Sequence, residues 1–348
     1  MKGSGKIIKI IGYKGLVSVF TLAALAFLLV LPGAGHAQTA MDFYKGKTLK
    51  MLTAGGPGSG HDQYVRLYAA HLARFLPVDA VPVENVVGGG ELIGHNKLYE
   101  STPDGLTIGG VNRGMMLFQI IGTKGIRFDL AKLTWLANMA AEPRLMVVSP
   151  KGKFTSLDAI RASKEFKIGT EGAGTTGHSD ALIVKEVTKW PVKIVAGYTG
   201  TTEIQLAVVK GEVDANIGVY DTLYPMLVSG DIIPVLQMGG RKIKGLENLP
   251  LFKDIAPPGY EALMRLLDVQ YSVSRLVAGP PGIPADRAAL LREVFKKMAE
   301  DKTFLEAAAK AKRNIEFTPG EAIQKMMEEA MKVSQKDVDM LQDILVKK

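Results

Sequence analysis

The sequence predicts an α/β protein of two lobes, each a mostly parallel sheet wrapped by helices. Three observations carry this prediction. The chain has 348 residues, more than the ~100 to 200 of one typical domain. It is 47% hydrophobic and 22% charged with no cysteine, which excludes a disordered chain and a disulfide scaffold and leaves stability to a core. One unit recurs along it: a short aliphatic or β-branched run, a glycine-rich loop, then a helix with apolar residues at i, i+3, i+4 and i+7.

The first element is a leader. Lys2, Lys6, Lys9 and Lys14 precede a 16-residue largely apolar run from Leu16 to Leu31, and Pro32-Gly33-Ala34-Gly35-His36-Ala37 follows. This is the three-part layout of a secretory signal peptide, residues 1–37, with small residues at the third and first positions before a cut after Ala37. The alternative is an uncleaved anchor, but the run falls short of the ~17 to 25 residues of a span. With no cysteine, a lipid anchor at a new N-terminus is excluded, and the mature chain is expected to be periplasmic. Past Ala37 stand 39 basic and 35 acidic side chains, a net +4 that argues against a nucleic-acid partner.

In the mature chain, residues 47–53 read as the first strand and run into Ala54-Gly55-Gly56-Pro57-Gly58-Ser59-Gly60-His61-Asp62. The next helix sets Tyr64, Leu67, Tyr68, His71, Leu72 and Phe75 on one stripe, which makes His71 a core residue. A strand at 80–87 ends in Gly88-Gly89-Gly90, Glu91 opens a helix through Tyr99, and Pro103-Asp104-Gly105 turns into a strand at 106–111. This βαβαβ order specifies a mostly parallel sheet. After strands at 133–139 and 144–149 the grammar restarts. Strands at 166–170, 193–196, 215–219 and 233–238 alternate with helices at 179–188, 202–210 and 221–229. The expected division is residues 38–144 with 271–348 in one lobe and 145–270 in the other. A helix at 286–300 follows Ala278 to Pro284. Thr318 is expected to cap one last helix, with Pro319 at its first position, Glu321 reaching back to the cap, and Met326, Met327 and Met331 on the core side.

Three glycine-rich loops lie between a strand end and a helix start: Gly55 to Asp62, Gly172 to Ser179, and Gly197 to Glu203. Glycine lets a ligand approach the backbone, and a helix's first turn offers unpaired N–H groups at the positive end of its dipole. Each loop is a tight connection or an anion cradle, and three in one chain favour a shared site at the carboxyl ends of the strands. Ser59, Thr175, Thr176, Thr199 and Thr201 add hydroxyl donors. Arg113, at the end of its strand, can grip a carboxylate two-pronged or bridge to Glu142 or Asp221. Asp221 can cap the next helix or accept from a ligand.

Other chemistries fail on the residues. Gly172-Ala173-Gly174-Thr175-Thr176-Gly177 has the dinucleotide-binding spacing, but the next strand ends Ile194-Val195-Ala196-Gly197 with no acid for a ribose. Gly177-His178-Ser179-Asp180-Ala181 resembles a nucleophile elbow, which makes a secreted serine hydrolase using Ser179 the alternative function. No histidine follows His178 to complete a triad. The mature chain has His61, His71, His95 and His178 but no metal motif, so neither a metal nor a cofactor is expected.

The residues resemble the extracytoplasmic solute-binding receptors of tripartite tricarboxylate transporters. Phe43-Tyr44-Lys45-Gly46-Lys47 and the loop to Asp62 are similar to the family's opening, P-x-K-P-I and then A-G-G-G-x-D. Val83-Glu84-Asn85 before Gly88-Gly89-Gly90 is similar to V-E-N-x-x-G-A-G-G, and Pro103-Asp104-Gly105-Leu106-Thr107 to P-D-G-Y-T. Lys210-Gly211-Glu212-Val213-Asp214 resembles G-G-x-V-D, and Ala278 to Pro284 resembles A-P-A-G-T-P. The resemblance implies a two-lobed, type II-like periplasmic binding protein that closes on a small carboxylate and delivers it, as a monomer, to membrane permease subunits. It implies ligand contacts in Gly56, Gly58, Ser59, Gly60, His61 and Asp62, in Thr175 and Thr176, in Tyr198, Thr199 and Thr201, and in Asp221; Gly174 and His178, within the second glycine loop, are candidate contacts from the loop itself. Pro57-Gly58-Ser59 lengthens the first loop, His61 stands where the family often has Thr, and Arg113 adds a cation that many members lack.

Overall fold

The computed structural model describes residues 39–141, 143–172, 175–239 and 242–346. The expected leader, Glu142 and Gly174 lie outside them. Eleven strands among the described residues form two sheets with one plan. In the first, β1 (Lys50–Thr53), β2 (Val83–Asn85) and β3 (Thr107–Val111) are parallel, with β1 in the middle. β10 (Leu276–Gly279) joins β3 antiparallel, and β4 (Thr134–Asn138) lies beyond it with the short β11 (Thr318–Pro319) at the edge. In the second, β6 (Phe166–Thr170) lies between β7 (Val192–Ala196) and β8 (Ala215–Val219), all parallel. β5 (Arg144–Val148) then inserts antiparallel between β8 and β9 (Ile233–Gln237). Each sheet thus receives, as its fourth strand, the one by which the chain enters from the other sheet.

Helices cover the faces because their apolar stripes need a partner. On one side of the first sheet, α2 (Gly60–Leu72) buries Tyr64, Val65, Tyr68 and Leu72 against α11 (Ala285–Glu300) and α12 (Lys302–Lys310), with the Tyr68 ring edge-on to Phe295 at 6.0 Å. His71 is only half-buried at the rim of that cluster, edge-on to Phe304. On the other side, α3 (Leu92–Tyr99) approaches β1 closely at Gly94, where a Cβ would come within 2.8 Å of the backbone of Ala54. One core joins Val111, Met115 and Trp135 to Ile168, Ala181 and Val184 of the second sheet and its helix α6 (Thr176–Thr188), through Leu263, Leu266 and Leu267 of α10 (Glu261–Ser272). The far side of the second sheet carries α7 (Thr201–Lys210) and α8 (Tyr220–Ser229), which share a smaller cluster with Leu145 and Val213.

The C-terminal region departs from expectation. Thr318 does not cap a helix: it pairs with Asn138 across β11 and β4, and the helix α13 (Gly320–Ala330) starts behind Pro319 with no side-chain cap. The expected single helix is broken after Ala330, and Ser334 with Asp337 forms a capping box that starts α14 (Gln335–Leu345). This last helix packs on α6 of the second sheet, while Gln342 Nε2 donates to the Ile121 carbonyl near the first.

Candidate functional site

Because β5 and β10 run against their neighbours, their starts lie at the same edges as the carboxyl ends of the parallel strands. Those edges carry the predicted loops.

On the first sheet, the loop after β1 is held by a buried carboxylate. Asp62 Oδ2 accepts from Gly58 N at 2.7 Å and Arg66 Nε at 2.9 Å, and Oδ1 accepts from Asn85 Nδ2 at 2.7 Å. Burial would raise the pKa of Asp62, but the bonds from Arg66, Gly58 and Asn85 hold it below the usual carboxylate range. The acid therefore shapes the loop from inside. Gly58 has φ +81°, and a Cβ on Gly56 or Gly58 would meet open space. Ser59 caps α2 by accepting from Asp62 N. Gly60 and His61 form the helix's first turn, with the guanidinium of Arg275 against Gly60 and 4.7 Å from the centre of the Tyr64 ring. His61 is driven well below its ordinary pKa by burial first, then by the charges of Arg275, His95 and Arg113, so its imidazole is neutral.

Arg113 lies in the turn after β3. His95, lowered to about 4 by burial, bonds through Nδ1 to the Glu91 carbonyl at 2.8 Å and through Nε2 to Asn112 N at 3.0 Å, which assigns the proton to Nδ1. Asn112 bonds in turn to Glu91 Oε2 and to Gly114 N. On this braced turn Arg113 is 7% exposed; its Nη1 donates to the Val273 carbonyl at 3.2 Å, and its guanidinium lies 6.0 Å from the Tyr271 ring centre.

On the second sheet, Thr175 caps α6: Oγ1 donates to the Gly172 carbonyl at 2.8 Å and accepts from His178 N at 3.3 Å. Thr176 is the first helical residue. The His178 ring bonds to Thr170 Oγ1, and Ser179 Oγ donates to the Thr175 carbonyl. Ser179 thus sits inside a continuous helix with its hydroxyl on the backbone, and the structure gives the hydrolase alternative no support. Thr201 Oγ1 donates to Glu171. Thr199 is exposed, with N and Oγ1 both donating to Glu203 Oε2. Tyr198 is half-buried beside Gly169. Asp221 stands exposed in the first turn of α8, behind the Val219 cap position.

Two further arginines stand at these edges without having been singled out from the sequence, Arg275 just before β10 and Arg144. Arg144 opens β5, 6% exposed; its Nε meets Asp180 Oδ2 at 2.5 Å and its Nη2 donates to the Ile217 carbonyl at 2.7 Å. Asp180 also accepts from the Tyr271 hydroxyl. One network therefore ties the start of β5, the first turns of α6, the end of β8 and the end of α10. A charged residue opening an otherwise apolar strand was the available signal.

Between the two edges lies a cavity of about 760 Å³. Ala141 and Pro143 line it from one crossing and Tyr271 and Ser272 from the other; Tyr220, Asp221 and Ile243 belong to the second sheet's side, Asn314 and Glu316 to the first's. Among the predicted site residues, Asp221 alone is among its lining residues. Among the described residues no three His, Asp or Glu side chains group as a metal site, and no helix is long and apolar enough to cross a membrane.

Residues 65–342 match the model of the tripartite tricarboxylate transporter family receptor. The chain belongs to this receptor family. A UPF0065 protein of Bordetella bronchiseptica is 22% identical over 292 residues, covering 83% of this receptor and 82% of that protein. The crystal structure of a TctC solute-binding protein from Polaromonas is similar in fold, with TM-score 0.71 and 19% identity over 86% of this chain and 99% of that one. MatC from Rhodopseudomonas palustris with bound malate gives 0.57 and 16%, over 86% and 99%. These likenesses confirm the two-lobed binding-protein fold of the receptor.

Proposed function

We propose that this receptor captures a small carboxylate between its lobes, without chemical turnover, and passes it as a monomer to integral membrane permease subunits. Residues 38–144 with 271–348 form one lobe and 145–270 the other, and the mature chain begins near Gln38 in the periplasm. The observation that carries the reading is the family match through both sheets; the malate held by the structurally similar MatC supports the ligand class. The ligand's charge is met by N–H groups of the loop before α2 and of its first turn, from Gly56, Gly60 and His61 with the Ser59 hydroxyl, and by Arg113, while Gly58, whose N–H donates to Asp62, lets the ligand approach the backbone. The second lobe contributes Thr175, Thr176, His178, Tyr198 and Thr201, while Asp221 takes a donor of the ligand. Asp62 and Thr199 hold their loops in shape.

Neutral donors at a helix start add anion-binding capacity without adding a second buried fixed charge beside Arg113. The test is a thermal-shift screen of mono-, di- and tricarboxylates and aromatic acids, followed by calorimetry. A ligand at ~100 times its dissociation constant should stabilise by ~2.7 kcal/mol. The reading fails if no acid shifts the melting point, or if a bound acid is recovered chemically changed.

A further inference from the structure

We infer that the ligand is a carboxylate with a ring-sized apolar body, seated in the cavity between the crossing segments. The inference rests on the carboxylate reading above and extends it from the charged head to the rest of the molecule. The cavity adjoins the proposed head site by two routes. Tyr271, which lines it, lies 6.0 Å from the Arg113 guanidinium, and Asn314, on its opposite wall, accepts from the hydroxyl of Tyr64, the ring against which Arg275 rests. A molecule with its carboxylate at the start of α2 and at Arg113 therefore has this chamber within reach of its tail.

The chamber's size and lining set the class of tail. About 760 Å³ falls in the range of ~300 to 1,000 Å³ that encloses drug-sized ligands. A four-carbon diacid would leave most of it to water. Ala141, Pro143, Tyr220, Ile243 and Tyr271 present apolar or aromatic surface, and the backbone of Gly239 packs against the base of Tyr271, where a Cβ would come within 3.1 Å of the tyrosine Cβ. Among the described residues the lining also carries Lys242 and Lys244 with Asp221 and Glu316, two charges of each sign beside the apolar surface. Tyr220 meets Tyr224 edge-on at 5.6 Å, so an aromatic pair stands at this wall of the chamber.

Calorimetry of the full mature chain with malate, adipate, phenylacetate and 3-phenylpropionate tests this, together with two variants. Ser272→Trp fills the chamber from a half-buried position, and Tyr220→Ala removes an aromatic wall. The expected result is at least tenfold tighter binding of one phenyl acid than of malate, with that ratio falling at least tenfold in either variant that melts cooperatively. Malate or adipate binding as tightly as both phenyl acids, or a ratio unchanged in the variants, overturns the inference and leaves the carboxylate reading standing. If the wild-type chain binds none of the four acids and the wider screen is also blank, the carboxylate reading falls with it.

Discussion

Asp180→Asn tests the buried network by removing a charge while keeping nearly the same shape. Asp180 is 1% exposed, Arg144 6% and Tyr271 2%, so water cannot take over a lost contact. The substitution leaves the Arg144 guanidinium buried with the Ile217 carbonyl and the more distant Glu171 charge, and replaces the acceptor of the Tyr271 hydroxyl by an amide. Removing one partner of a buried pair costs about 3 to 5 kcal/mol. At ~2 to 4 °C per kcal/mol for a large domain, the melting temperature should fall by about 6 °C or more. The double variant Arg144→Met with Asp180→Leu should lose less than Asp180→Asn alone, because it leaves no unpaired charge, whereas a larger loss would indicate that the two side chains contribute independently. Urea unfolding at pH 7 and calorimetry of the three forms provide the measurements. A melting point for Asp180→Asn within ~2 °C of wild type would refute the claim that the network is dry and coupled.

His95 is a base whose folded pKa, about 4, lies below its unfolded value near 6.5, so the unfolded chain binds the proton first. Its contribution is full above pH ~6.5 and should fall by about 2 to 3 kcal/mol by pH 4.5; urea unfolding of His95→Gln should show that slope flattened, and an unchanged slope would count against the assignment. Asp62→Ala should cost about 2 to 3 kcal/mol and weaken carboxylate binding at least tenfold, because the bonds from Gly58, Arg66 and Asn85 are lost together; intact affinity by calorimetry would show that the loop needs no internal anchor. Gly320→Ala should destabilise by about 2 kcal/mol or more, since its Cβ would come within 2.4 Å of the Trp135 carbonyl oxygen; a melting point equal to wild type would mean that α13 can shift on β4.

Much of the fold was legible where one residue pattern decided the element. Phe166–Thr170 and Ala215–Val219 are fully bounded by their apolar runs, and the structure has them at those limits. The C-terminal helices were not, because Thr318, Pro319, Gly320 and Glu321 read as a cap until Asn138 is placed opposite Thr318, a contact between residues far apart in sequence. The glycine loops were visible as loops, but the inward turn of Asp62 depends on Asn85, and the Thr199 hydroxyl is taken up by Glu203. Arg275 and Arg144 were not legible as site residues because each stands at the start of a strand, and site residues in a parallel sheet follow one. In an antiparallel strand it is the start that arrives at that edge.

The insertion of β5 and β10 also governs how force travels through the molecule. Each crossing segment continues directly into an interior strand flanked on both sides by hydrogen-bonded neighbours, β8 and β9 in one case, β3 and β4 in the other. A twist in the few residues outside the sheets is therefore keyed into each sheet near its middle, as an axle is keyed to a wheel. Torque on either crossing is shared by the ladder bonds on both sides of its strand before it reaches a loop at the sheet edge.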